Sequence, residues 1–500
     1  MCIRDSVDLG RLQAGFAHEI GDGFLSRCAP RLGGRFWEVE QARGIGETSQ
    51  VSIQIRGGAG GDEDGLKAAV ATRHGCIIPV QVRQIKILPP HGAAERLDEV
   101  NDCVVRAHRF PLCPRRLVGV SNYRSPLLSF TGAAELPDAT STLIDAAGVP
   151  SHYGDPLREQ RFVSRGGVAV DRSHRTVIRV AGPDAAEFLN NLLSQKLDDA
   201  AVGFSAAFCD LDMQGRILHH GDITRADDAF YLGTPSYLGE SLLDYLTKMI
   251  FWSDVTVEEA DLGIITVLGA PGSFAVPETL GTVYSREVDW AGPRRIDIAV
   301  PRERLSDAYR TLTSADAGLE RAGLMAFSAE RVKALEPEQR ADLDAKSIPH
   351  EAPTLIARGG HAGAVHLSKG CYRGQETIAR VENLGRSPRL LVLVHLDGSA
   401  PAEPEAGSPV TVGGRTVGRL GTVVHDCDYG PIALALVKRS ALNIPAAGTA
   451  ASPLTLDIEA GDEENGTMTV AAAVDIDSLP ADEGEKAGRA AVDKLRGRSR

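Results

Sequence analysis

Apolar and polar residues alternate through Thr176-Val177-Ile178-Arg179-Val180, and after Gly182-Pro183-Asp184 the apolar positions recur every three or four residues over 185–193. The change of period from two to about 3.6 predicts a strand, a turn and a helix. Leu238, Leu242, Tyr245, Leu246 and Met249 share one helical face, so a second amphipathic helix is expected over 236–250. Residues 255–259, 263–268 and 296–300 read as strands, and Pro301 suits the first turn of a helix running to about Thr313. Short strands with segregated helices point to an α+β fold rather than a doubly wound parallel sheet.

The pattern changes after Arg386. Residues 390–396, 410–412, 416–424 and 432–437 are strand-like runs separated by Gly, Pro and Asp, with no good helix among them. They predict a small antiparallel barrel over residues 386–456. Beyond it, residues 457–500 are rich in Asp, Glu, Gly and Ala and poor in aromatics, and are expected to be mostly disordered. At the other end, residues 1–119 show no sustained periodicity, and Met1-Cys2-Ile3-Arg4-Asp5-Ser6 resembles a translated adapter sequence. The native protein is therefore expected to begin near Val120, with residues 120–385 forming the main α+β region.

Charge narrows the function classes. With 54 Lys and Arg against 67 Asp and Glu, the formal net charge is −13. That balance disfavours nonspecific binding to nucleic acid or an anionic membrane, both of which need a cationic surface. No apolar run approaches the roughly 18 residues of a membrane span, and no secretory signal opens the chain, so a cytoplasmic location is the expectation. Five of the eight cysteines lie before residue 114; Cys209, Cys371 and Cys427 are widely spaced, which fits neither a disulfide framework nor a zinc pattern. No metal site is assigned.

One segment carries chemistry: Lys369-Gly370-Cys371-Tyr372-Arg373-Gly374-Gln375-Glu376 sets a thiol between two cations and two glycines. Lys369 and Arg373 would favour the thiolate, the form that acts as nucleophile, and glycines allow a sharp turn and close approach to a ligand. A helix beginning at Gln375 would add its positive end, and would set Glu376 and Arg380 four apart for an ion pair. A buried structural thiol beside a turn is the other reading of the same residues.

With Thr377-Ile378-Ala379-Arg380 after it and Ile348-Pro349-His350-Glu351 before it, this motif resembles the signature of the YgfZ family of tetrahydrofolate-binding proteins, relatives of the aminomethyltransferase (T protein) of the glycine cleavage system. The resemblance runs from about Ser125 to about Ala447. It implies two α+β folate-binding subdomains followed by a small barrel, with tetrahydrofolate or a one-carbon derivative as cofactor. It further implies a cytoplasmic protein that supports assembly or repair of iron–sulfur clusters; iron–sulfur enzymes or their assembly factors are the expected partners, and a monomer is the expected state. Cys371 is then the reacting group, and Lys369, Tyr372, Arg373, Gln375, Glu376 and Arg380 are the folate-side residues of the motif.

In the aminomethyltransferases a strand carboxylate pairs with the ring amine and amide nitrogens of the folate pterin, accepting two parallel N–H bonds. Asp297, in Arg295-Ile296-Asp297-Ile298, stands where that carboxylate is expected, as an aspartate in place of the relatives' glutamate. The transferases also carry an acid pair after Gly-x-Ile/Val-Leu, where this chain has Gly215-Arg216-Ile217-Leu218-His219-His220. Adjacent strand residues face opposite ways, so at most one of the two histidines can face a pocket. The alternatives to the cluster-maintenance reading are a folate-dependent aminomethyltransferase or N-demethylase, which the missing acid pair disfavours, and a non-catalytic folate-binding module.

Overall fold

The computed structural model describes residues 123–137, 143–442, 454–461 and 468–480, together with short strands between Arg11 and Arg106. The chain divides into two units, Met1–Arg116 and Leu117–Arg500. In the first, strands Glu38–Gly44 and Gln50–Arg56 pair antiparallel. Gln50–Arg56 is a strand with Val51, Ser52, Ile53, Gln54 and Ile55 in alternation, a pattern that the reading of this segment as aperiodic overlooked. The expected start near Val120 falls outside the described residues.

In the second unit two five-stranded sheets face each other. One has the strand order Tyr284–Glu287, Arg295–Pro301, Leu262–Leu268, Val168–Asp171, Glu320–Ala322; the other has Ser205–Leu211, Ile217–Ala226, Ala229–Thr234, Thr176–Ala181, Thr256–Ala260. Each sheet carries helices on its outer face. Leu305–Leu312 buries Leu305, Ala308, Tyr309 and Leu312 against Ile265, Val267, Ile296, Ile298 and Val300. Ala185–Leu192 and Ser236–Lys248 bury Phe188, Leu189, Leu242 and Leu246 against Ile178, Val180, Ile223 and Leu232. The alternate residues of the same strands turn inward, where Val177 clusters with Leu262, Ile264, Tyr284 and Ala299. The expected helices over 185–193 and 236–250 thus end within two residues of their predicted limits. Leu262–Leu268 is buried at every position because its strand is covered on both faces.

The C-terminal barrel is closed by six antiparallel strands in the order Arg389–Leu396, Gly430–Lys438, Arg415–Asp426, Pro409–Val412, Thr455–Ala460, Met468–Val474. The continuous apolar run in Arg389–Leu396 has a two-sided cause. Leu390, Val392 and Val394 fill the barrel, while Leu391 and Leu393 pack on Cys209, Leu211, Val332 and Ile378 of the α+β region. The boundary expected at residue 456 is corrected. Thr455–Ala460 and Met468–Val474 alternate inward and outward side chains and supply the two strands that close the barrel. Residues 462–467 and 481–500 of the tail expected to be disordered lie outside the described residues. No helix among the described residues is long and apolar enough to cross a membrane.

Candidate functional site

The inward faces of the two sheets carry charge as well as apolar residues. Asp297 lies opposite Thr266 on one neighbouring strand and Arg286 on the other. Thr266 Oγ1 donates to Asp297 Oδ1 at 2.7 Å, Arg286 Nη2 donates to Oδ2 at 2.7 Å, and Arg295 donates from Nε and Nη2 at 3.2 and 3.0 Å. Arg172 Nη1 stands 3.6 Å from Oδ1. Burial alone would push this carboxyl up, but Arg295, Arg286 and Arg172 outweigh it and hold Asp297 well below the ordinary carboxylate range. Arg295 is fully buried; its Nη1 reaches Glu336 Oε2 at 2.9 Å, and its guanidinium lies 5.3 Å from the Trp290 ring centre. Asp222 completes the group, 2.7 Å from Arg286 Nη2 and likewise held low against the effect of burial by Arg286, Arg295 and Arg175.

This arrangement corrects the expectation for Asp297. Each of its oxygens already accepts two hydrogen bonds from its own protein, so no free edge remains for two ligand N–H groups. Nor does it line the cavity beside it. That cavity, of about 310 Å³, takes His220, Asp222 and Ala207 from one sheet, Arg286 and Trp290 from the Tyr284–Glu287 strand and its continuation, and Glu336 and His361 from the segment that follows helix Leu324–Lys333. A smaller polar chamber of about 30 Å³ shares His220, Asp222 and Glu336 with it. The alternation expected of the histidine pair holds: His220 faces the cavity, whereas His219 bonds to Asp210 on the neighbouring strand. Burial lowers the His220 pKa from its usual 6.5, which favours the neutral ring.

The cysteine motif is a tightly built loop in front of helix Gln375–Leu384. Lys369 Nζ donates to the carbonyls of Asn190, Leu193 and Gln195 at 2.5, 2.5 and 3.1 Å, capping the end of helix Ala185–Leu192, and burial lowers its pKa to about 8. Arg373 donates to Asp210 Oδ1 at 2.6 Å and to the Leu211 carbonyl. Tyr372 packs on the cluster containing Leu211, Ile217 and Val332, and burial raises its hydroxyl pKa. Gln375 folds back toward the carbonyls of Lys369 and Gly370. Cys371 remains exposed.

The motif residues expected on the folate side stand apart from this cavity. Lys369, Tyr372, Arg373 and Gln375 shape the loop, Glu376 and Arg380 lie exposed on the helix, and none of the six lines the cavity. Among the described residues Glu376 and Arg380 form no ion pair with each other. The link between loop and cavity is Gln195, whose carbonyl accepts from Lys369 while its side chain donates to the carbonyls of Ala207 and Gly363 in the cavity wall.

Gly374 makes the turn at φ +82°, and a Cβ there would stand 2.6 Å from the Asp212 carbonyl oxygen. Gly374→Ala is accordingly expected to cost about 1–3 kcal/mol of stability, read from urea unfolding, because it adds backbone strain to a clash. Of the cavity residues, His220 was weighed only as one of the histidine pair, and Asp222, Arg286, Trp290 and Glu336 were missed by sequence reasoning. The available signal was charge inside apolar strands, as in Arg295-Ile296-Asp297 and His220-Gly221-Asp222.

Comparison with known proteins follows this architecture. The CAF17 C-terminal beta-barrel domain matches residues 389–473, the closed barrel. A chloroplastic protein of Arabidopsis thaliana, named as a putative transferase, is 28% identical over 56% of this chain and 67% of its own length. The tRNA-modifying protein YgfZ of Edwardsiella ictaluri is 27% identical over 49% of this chain and 76% of its own length, and an aminomethyltransferase of Xanthomonas axonopodis pv. citri is 25% identical over 51% and 74%. The crystal structure of glycine cleavage system aminomethyltransferase T from Bartonella henselae covers 70% of this chain and 94% of its own at a TM-score of 0.53 and 18% identity, a likeness of fold. The chain therefore carries a CAF17-type C-terminal barrel on an aminomethyltransferase-like fold and is a homologue of the YgfZ and aminomethyltransferase proteins.

Proposed function

We propose that this chain binds a reduced folate in the 310 Å³ cavity between its two sheets, and that the exposed Cys371 thiol serves iron–sulfur enzymes of the cytoplasm from the neighbouring loop. The cavity carries this reading. Its size lies at the lower end of small-molecule pockets, Trp290 offers an aromatic face for a flat ring, and Glu336 offers a carboxylate that is partly open rather than saturated. A pterin edge presents an amine and an amide N–H side by side, which is the donor pattern an ionised carboxylate accepts. Glu336 thus takes the role first expected of Asp297, with Arg295 Nη1 2.9 Å behind it.

Calorimetric titration tests the assignment. Tetrahydrofolate is expected to bind Glu336→Gln on the order of 10-fold more weakly than wild type, the loss of one charge-assisted hydrogen bond. Equal affinity would remove Glu336 from the site.

The placement of Lys369 and Arg373 also favours a second reading, a folate-binding module in which the motif has only a structural role, because both cations are occupied by protein acceptors. Alkylation separates the two readings: a rate at Cys371 well above that of a free thiol supports chemistry, and an ordinary rate supports the module. A transferase reading meets the histidines at 219 and 220, which supply no fixed negative charge near the reacting carbon.

A further inference from the structure

His219 is left unused by the cavity, yet it is buried and both ring nitrogens are bonded. Nδ1 lies 2.8 Å from Asp210 Oδ2, its direct cross-strand partner, and Nε2 lies 3.0 Å from Ser241 Oγ on helix Ser236–Lys248. Asp210 is fully buried, and its other oxygen receives Arg373 Nη2 at 2.6 Å. A carboxylate only accepts, so the imidazole carries its proton on Nδ1. The Tyr245 ring stacks 6.3 Å from the His219 ring and lies 4.8 Å from the Arg373 guanidinium, closing the group on the helix side.

We propose that His219 is a positioning residue for the Cys371 loop: it holds the buried Asp210 carboxylate in the rotamer that pins Arg373, two residues from the thiol. The inference rests on the reading that Cys371 is a working group, and adds to it the residue that fixes where the thiol sits. It also explains why this chain carries no acid at 219. An aspartate there would set two carboxylates side by side in a buried cross-strand pair, and like charges so placed cannot both stay ionised. Asp210 would then be protonated or displaced, and Arg373 would lose its anchor.

Peptide-resolved hydrogen exchange on the full chain tests this, with thermal unfolding measured in parallel. His219→Gln retains an N–H donor for Asp210, and exchange in the 369–376 loop is expected to stay within about twofold of wild type. His219→Leu and His219→Asp are expected to raise exchange in that loop by about tenfold or more while strands 295–301 and 430–438 keep wild-type protection. Unchanged loop exchange in both folded variants would overturn the proposal. So would a rise spread evenly over the chain, or a His219→Gln protein indistinguishable from His219→Leu. Failure of the functional reading shows elsewhere: Cys371→Ala would then support iron–sulfur enzymes as well as wild type, whatever the loop exchange.

Discussion

Arg295→Met is expected to destabilise the protein by about 3–5 kcal/mol in urea unfolding, the cost of leaving buried charges without their partner. Arg295 contacts Asp297 through two nitrogens and Glu336 through a third, and lies 4.0 Å from Asp222. Removing it leaves Asp297 with Arg286 and the more distant Arg172, and Glu336 without its ion-pair partner Arg295. The same logic separates the two roles considered for Asp297. As part of a buried ion network, Asp297→Asn should lower stability by several kcal/mol. As a ligand contact it would instead lower folate affinity and leave stability nearly untouched. A stable Asp297→Asn protein with weakened binding would restore the role first expected of it.

Cys371→Ala should change stability by no more than about 0.5 kcal/mol, because the side chain is exposed. Its functional effect should be complete. In a bacterium lacking its own homologue, wild type is expected to restore iron–sulfur enzyme activity and Cys371→Ala to restore none, at equal folded expression. Full rescue by the alanine variant would reduce the motif to a structural loop and favour the binding module.

The sequence showed its elements best where a single face is buried. Ala185–Leu192 and Ser236–Lys248 each cover one sheet and keep a clear helical period. Arg389–Leu396 reads as a strand, but which side faces the barrel is hidden because both sides are apolar. The last two barrel strands escaped notice because the acidic, glycine-rich residues around them dominate local composition, although Leu456, Ile458, Val470 and Ala472 alternate inward. At the site the difficulty is different in kind. The motif announces itself through unusual residues, and those residues turn out to hold the loop together. The cavity is assembled from side chains spread over about 140 residues of sequence, such as His220, Arg286, Glu336 and His361. No local period brings them together, and Asp297 could be seen as saturated only once Arg172, Arg286 and Arg295 were placed around it.

Titration of tetrahydrofolate into the full chain, followed by tryptophan emission in a Trp37→Phe, Trp252→Phe background, tests the central claim most directly. Trp290 lines the cavity and is one of three tryptophans in the chain, so replacing Trp37 and Trp252 leaves it as the sole indole emitter. A saturable change at one folate per chain, abolished by Trp290→Phe and shifted to higher concentration by Glu336→Gln, is the predicted result. A titration without saturation, or one unaffected by either cavity substitution, would contradict folate binding between the two sheets.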